Sequence, residues 1–177
     1  EISAGFASGS QSLKADALDF AGDTMTYTIS LLVIGSALAV RAKAALFKGG
    51  LLFAIAIAVL SMTLLRAFSG EPPVAETMGI VGFAALIANA ISVLILLKWR
   101  DGDANVRSVW LCSRNDAIGN VGVMIAGGLV ALTGSAWPDL ILAFVLAGIF
   151  TRSAWSICSQ ALAELRDHTA LANTGEA

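Results

Sequence analysis

Long apolar stretches constrain this sequence more than any other feature. A membrane-spanning helix needs about 20 mostly apolar residues, and five stretches meet that length, at residues 12–40, 49–68, 77–98, 107–133 and 138–159. The stretches are continuous, whereas the strands of a membrane barrel alternate apolar and polar residues over about ten positions. The sequence therefore predicts an all-α fold, a polytopic transmembrane helix bundle with five complete spans.

The composition excludes several other classes of protein. Of the 177 residues, 57% are apolar and 14% are charged, whereas an ordinary soluble domain is about 25% charged. A disordered chain would need low hydrophobicity and high charge. The formal net charge of -2 argues against nucleic-acid binding, which needs a basic face. Two cysteines without a Cys or His cluster exclude a disulfide scaffold and a zinc finger.

The two ends of the chain differ from the spans. Residues 1–9 are too few to cross a bilayer and lack the basic region of a signal peptide. We interpret them as the end of a truncated first helix whose beginning is missing from this sequence. Because the sequence turns polar after Gln160, we predict a transmembrane domain over residues 1–160. A polar cytoplasmic tail without a folded C-terminal domain is predicted over residues 161–177.

Basic residues predict the orientation in the membrane. The loop predicted after the first complete span carries Arg41, Lys43 and Lys48, and the loop at 98–107 is also basic. Cytoplasmic loops of membrane proteins carry an excess of lysine and arginine. We therefore expect these loops and the C-terminal tail to be cytoplasmic, in a bacterial inner membrane.

A few ionisable residues lie inside the predicted spans. They are Asp16, Asp19 and Asp23 in the first span, and Arg114 and Asp116 in the fourth. A charge at the bilayer centre costs at least about 2.5–3.5 kcal/mol on insertion scales, so such residues mark a functional site. Asp19 and Asp23 are four residues apart and share a helix face, with Asp16 one turn earlier.

The fourth span repeats this spacing with Cys112, Asp116 and Asn120. At a rise of about 1.5 Å per residue, Asp23 and Asp116 both come close to the middle of the membrane. Carboxylates and a thiol that converge in a low dielectric repel one another as anions, and either a divalent cation or protons relieve the repulsion. Metal binding needs deprotonated ligands and releases protons. The pattern predicts a site for metal/proton exchange.

Each of these residues also has a plainer interpretation. The aspartates of the first span suit a solvated helix start, where carboxylates are favoured. Cys112 could be an ordinary buried small side chain, and Asp116 could pair with Arg114. Two other functions stay open: a non-transporting membrane metal sensor, and a proton-coupled carrier of a small organic solute. The sequence shows no nucleophile–base pair and no phosphate-binding loop, so we do not expect an enzyme.

Two segments resemble the paired motifs of the cation diffusion facilitator (cation efflux) family. One is SQSLKADALDFAGD at residues 10–23, and the other is CSRNDAIGNVGV at residues 112–123. Asn89 falls where the fourth helix of that family often carries an asparagine. The resemblance implies a six-helix transmembrane domain, usually a homodimer, that exports divalent metals in exchange for protons.

The resemblance also implies a ligand set. The tetrahedral metal site of the family matches Asp19, Asp23, Cys112 and Asp116. Asp16 matches a family aspartate near the site, and we place Asn120 and Asn89 beside the site or on the ion pathway.

The ligand set leaves the metal open. The family's common zinc version has histidine where this chain has Asp19 and Cys112. Carboxylates favour harder ions such as manganese, whereas a thiolate favours zinc, cadmium or cuprous copper. We expect no prosthetic group, and a transported divalent ion that is zinc, cadmium, cobalt, iron or manganese.

Overall fold

A computed structural model describes residues 2–33, 35–69, 71–99 and 104–174, with the side chains of residues 2, 30, 38, 99, 104–112, 115 and 167–174 left out. In this part of the chain there are six α-helices and no strand. The helices are α1 (Ile2–Ser8), α2 (Gln11–Leu32), α3 (Leu38–Ser69), α4 (Ala75–Leu96), α5 (Ala104–Thr133) and α6 (Trp137–Thr174), with a 3₁₀ turn at Leu97–Trp99 after α4. The predicted all-α, polytopic helical fold is confirmed.

The helices end where the backbone chemistry requires it. Pro72 and Pro73 lie between α3 and α4, and Pro138 is the second residue of α6, where its missing N–H costs no hydrogen bond. Gly134 follows the end of α5 with a φ of 62°, and its N–H donates to the Val130 carbonyl at 2.8 Å. This is the left-handed glycine cap that commonly terminates a helix.

The predicted boundaries of the first complete span are wrong at its C-terminal end. That span was expected to continue to residue 40, but α2 ends at Leu32 and α3 begins at Leu38. Gly35 between them has a φ of 81°, a left-handed conformation that breaks a helix and suits glycine. As a result Arg41, Lys43 and Lys48, expected in a loop, belong to the first turns of α3.

Four of the described helices are long and apolar enough to cross a membrane. The qualifying segments are Ala39–Ser69, Ala75–Leu96, Asp116–Thr133 and Trp137–Arg166. The 22 residues of α2 have the length, but Lys14 and the three aspartates that follow it exceed the charge that such a segment normally carries. The aspartates that make α2 more polar than an ordinary membrane-spanning helix are the same residues that predict a functional site. The last helix also continues beyond the predicted end of its span, to Thr174.

The chain forms two compact units, and α2 contributes to both. One unit consists of residues 1–17 and 59–146, and the other of residues 18–58 and 147–177. In the first unit, Leu13, Met78 and Val123 are fully buried together at the centre of an apolar core. The glycine at 127 lets α5 approach α4 closely, because a Cβ there would lie 3.0 Å from the Met78 Cβ.

A buried carboxylate holds the start of α2 in the first unit. Asp139, 1% exposed in the first turn of α6, accepts four hydrogen bonds from the three residues before Leu13. The donors are the Ser10 hydroxyl (2.7 Å), the Gln11 N–H (2.7 Å), the Ser12 N–H (3.0 Å) and the Ser12 hydroxyl (2.5 Å). The first N–H groups of a helix have no partner within the helix and favour a negative charge. Asp139 therefore fixes where α2 begins relative to α6.

In the second unit, α3 packs closely on α6 and on α2. A Cβ at Gly49 would collide with the Cys158 Sγ and would lie 3.3 Å from the Ala154 carbonyl oxygen. Gly22 of α2 faces Ile55 of α3 in the same manner, with 2.9 Å from a Cβ to the Ile55 Cδ1. Glycine is needed most at position 49, where backbone atoms also stand close, whereas the end of the Ile55 side chain could shift to admit a Cβ at position 22.

Candidate metal site

Two acidic residues of α2 line one small cavity in the second unit. The cavity has a volume of about 10 Å³ and is bounded by α2 and α3, which is close to the space of one water molecule. Asp19 and Asp23 face it together, as their four-residue spacing predicts. Thr26 continues the polar side of the cavity. The α3 side carries Lys48 and an apolar wall, which consists of Leu51, Leu52 and Ile55.

The carboxylate of Asp23 has a different partner on each oxygen. Its Oδ2 accepts a hydrogen bond of 2.6 Å from the Tyr27 hydroxyl, one helical turn further along α2. Its Oδ1 lies 3.8 Å from the Lys48 Nζ, with side-chain exposures of 23% for the lysine and 16% for the aspartate. The Lys48 Nζ also lies 4.8 Å from the centre of the Tyr27 ring, within the distance of a cation–π interaction. Asp23 is thus oriented by the Tyr27 hydroxyl and lies beside one positive charge.

Sequence reasoning missed both of these partners. Tyr27 follows Asp23 by four residues, so the rule that placed Asp23 on the face of Asp19 also places Tyr27 there. Lys48 was expected in a cytoplasmic loop because the end of the first complete span was placed too late. Locating the turn at Gly35 would have moved Lys48 inside α3.

The predicted residues of α5 and the nearby aspartate of α2 lie in the first unit. Asp16 is half-buried, and its Oδ1 would lie 3.7 Å from a Cβ at Gly119. The Asp16 carboxylate therefore reaches α5 in the helical turn between Asp116 and Asn120. Asp116 is half-buried on α5, and Asn89 is half-buried on α4.

Asn120 is the most enclosed of the predicted residues. Its side chain is 0% exposed, and neither the Oδ1 nor the Nδ2 atom has a hydrogen-bond partner in the described part of the chain. Leaving a buried polar group without a partner costs about 1–3 kcal/mol. An amide retained in such a position is explained when a water molecule or an ion completes its hydrogen bonds. This suits the predicted location of Asn120 beside a site or pathway.

The four predicted ligands are not described as one cluster. The side chain of Cys112 lies outside the described residues, although its backbone belongs to α5. Asp19 and Asp23 belong to one unit and Asp116 to the other. Among the side chains that the structure describes, no three His, Cys, Asp or Glu residues form a group that could hold a metal. The convergence of Asp19, Asp23, Cys112 and Asp116 stays a prediction.

These features define a class of protein. The chain combines apolar helices that are long enough to cross a bilayer with half-buried carboxylates on α2 and α5. This combination is typical of a polytopic integral membrane protein with acidic intramembrane residues. The chain belongs to the cation efflux family, since the family model of the cation efflux transmembrane domain matches residues 1–166. The family resemblance of the two acidic motifs is thereby confirmed.

Named relatives are similar over most of this chain. It is 32% identical over 164 residues to the metal cation efflux system protein CzcD of Cupriavidus metallidurans, covering 85% of this chain and 51% of that protein. It is 28% identical over 178 residues to the zinc transporter ZitB of Escherichia coli, covering 93% and 57%. It is 26% identical over 188 residues to the cadmium, cobalt and zinc/H(+)-K(+) antiporter of Bacillus subtilis, covering 96% and 59%. The chain thus spans about half the length of the relatives it matches.

Proposed function

We propose that this chain is the transmembrane part of an exporter of divalent transition metals that exchanges the metal for protons. The observation that carries the proposal is the cavity of about 10 Å³ that Asp19 and Asp23 line together on α2. Two carboxylates one turn apart on an intramembrane helix need a cation or protons between them. Membership of the cation efflux family supports a cation as the cargo, and the names of the relatives support zinc, cadmium or cobalt.

In the proposed mechanism, the metal enters from the cytoplasm and binds to Asp19, Asp23, Cys112 and Asp116. Because these ligands bind metal only when deprotonated, protons arriving from the other side displace the ion outward. Asn120 follows Asp116 by one helical turn, and the Asp16 carboxylate reaches the same part of α5. Both residues assist the passage of water or protons. Alternating access follows from rocking of helix groups around the site. We further propose a homodimer in a bacterial inner membrane, with the basic residues on the cytoplasmic side.

Flux measurements on the full chain in proteoliposomes test this proposal. Zinc, cadmium, cobalt, iron and manganese are supplied singly on one side, with and without an imposed pH gradient, and internal dyes report metal and proton movement. We expect flux of at least one of these metals that is coupled to proton movement in the opposite direction and that falls when a protonophore collapses the gradient. Vesicles without protein are the control. Tight metal binding without flux would indicate a sensor, and flux indifferent to pH would contradict the exchange.

A second test uses the hydroxyl group that orients Asp23. Tyr27→Phe keeps the ring that faces Lys48 and removes the hydrogen bond to the Asp23 Oδ2. We expect zinc affinity to fall about tenfold, because removing a group that orients a metal ligand typically weakens binding by about 10–100-fold. Zinc binding is measured by competition with a fluorescent chelator.

The matched control is Thr24→Val, which removes an exposed hydroxyl on α2 that bonds only to the Phe20 carbonyl among the described contacts. Its zinc affinity should equal that of the parent. Equal affinity for Tyr27→Phe and the parent would show that the hydroxyl does not orient a metal ligand.

A further inference from the structure

The Lys48 ammonium stands beside the carboxylate that the proposed function assigns to the metal. It lies 3.8 Å from the Asp23 Oδ1, on the side away from the Tyr27 hydrogen bond. This distance exceeds that of a good N–H···O hydrogen bond, about 2.7–3.2 Å. The attraction is therefore mainly coulombic and can be broken without the loss of a well-formed hydrogen bond.

The space beside Asp23 is small. Lys48, Asp19 and Asp23 line the same cavity of about 10 Å³, which is roughly one water molecule in size. A divalent ion bound to Asp23 would occupy the place next to the ammonium, and the two positive charges would repel each other. The apolar wall of the cavity offers no carboxylate to which the ammonium could move within it.

A lysine side chain is well suited to a place beside a carboxylate that it occupies only part of the time. Its charge sits on a flexible four-carbon chain with three rotatable donors, so it can withdraw without moving the helix. The Tyr27 ring, 4.8 Å from the Lys48 Nζ, provides a second favourable contact for the charge. An arginine-like bidentate pair would hold the carboxylate more rigidly.

We propose that Lys48 is a tethered cation that occupies Asp23 when metal is absent and withdraws when metal binds. It places a positive charge beside Asp23 when metal is absent, and it competes with the incoming ion for that carboxylate. Lys48 thereby lowers metal affinity and speeds metal release. This inference rests on the proposed function, because it takes Asp23 to be a metal ligand.

The test compares Lys48→Met with the parent in the full chain. Zinc affinity is measured by chelator competition in detergent, and KM and maximal rate by zinc flux in proteoliposomes. We expect Lys48→Met to bind zinc about fivefold more tightly, the scale of a partly exposed ion pair. The KM and the maximal rate of zinc flux should both fall. This pattern is seen when an interaction that destabilises the substrate-bound ground state is removed.

Further variants separate competition from a merely structural role. Lys48→Arg retains a positive charge beside Asp23 and should not bind zinc more tightly than the parent, because the guanidinium holds the carboxylate at least as firmly. Lys48→Gln replaces Lys48→Met if the latter fails to fold. Lys43→Met is the matched control, since Lys43 is an exposed lysine of the same helix, and its zinc affinity should match that of the parent. A lysine that only packs α3 against α2 would give weaker zinc binding when replaced.

The outcomes distinguish this inference from the proposed function. If the parent transports zinc but Lys48→Met binds it equally or more weakly, the tethered cation is wrong and the transporter stands. The tethered cation is also wrong if Lys48→Arg behaves like Lys48→Met. If the parent neither binds nor transports zinc or any other metal of the panel, the proposed function fails and the inference falls with it.

Discussion

Asp23→Asn is expected to reduce metal flux in proteoliposomes by at least about a hundredfold, more than the loss of a residue that merely orients a ligand. The amide cannot supply the negative charge that the metal needs, and it cannot carry the proton that would displace the metal. Its shape is nearly unchanged, and its oxygen can still accept the hydrogen bond from Tyr27. The substitution therefore removes the charge while leaving the local packing in place.

The control for this prediction is an exposed carboxylate outside the proposed site. Glu76 in the first turn of α4 is exposed, and Glu76→Gln changes the net charge of the chain by the same amount. We expect its flux to match that of the parent. Asp19→Asn should lose flux as Asp23→Asn does. Flux above half of the parental rate in Asp23→Asn, with the protein folded by size-exclusion chromatography, would remove Asp23 from the ligand set.

Asp139→Asn is expected to lower the melting temperature in detergent by on the order of 5–10 °C, at about 2–4 °C per kcal/mol for a chain of this length. The Asp139 carboxylate accepts from two backbone N–H groups, those of Gln11 and Ser12, which can only donate. An asparagine turns an NH₂ donor towards one of them. The hydroxyls of Ser10 and Ser12 can rotate to adapt, but the backbone groups cannot. A buried donor left without a partner costs about 1–3 kcal/mol, and more where a charge was involved.

Glu76→Gln also serves as the control for this second prediction, because it alters an acidic residue in the first turn of another helix. Its stability should change by no more than about 0.5 kcal/mol, as for most surface substitutions. Ser12→Ala removes one donor to Asp139 and should lower the melting temperature by less than Asp139→Asn does. Equal melting temperatures for Asp139→Asn and the parent would show that the four hydrogen bonds do not hold the start of α2.

The local parts of the fold and of the site could be predicted from the sequence. Apolar run length predicts the long helices, although it misses the turn at Gly35, and prolines at 72, 73 and 138 mark helix boundaries. The four-residue spacing of Asp19 and Asp23 places both on one cavity wall. These are properties of a single helix, and they depend on 3.6 residues per turn and little else.

The contacts between helices could not be predicted in the same way. Nothing in the spacing of residues along the chain pairs Lys48 with Asp23, because the turn at Gly35 that reverses the chain occupies only a few residues inside an apolar run. Asp139 and Ser10 are 129 positions apart, and serine or aspartate near a helix start usually indicates only a local cap. The convergence of Asp116 and Cys112 with the aspartates of α2 into one metal site rests on the family resemblance and stays a prediction.

The Asp139 contact also has a consequence for the order of events during biosynthesis. The start of α2 leaves the ribosome long before its capping carboxylate exists, since Ser10 precedes Asp139 by 129 residues. At a synthesis rate of about 5–20 residues per second, this delay is on the order of 10 s. During that time α3, α4 and α5 are translated while the first N–H groups of α2 lack their acceptor. The cap on the start of α2 can therefore form only after the beginning of α6 has been synthesised.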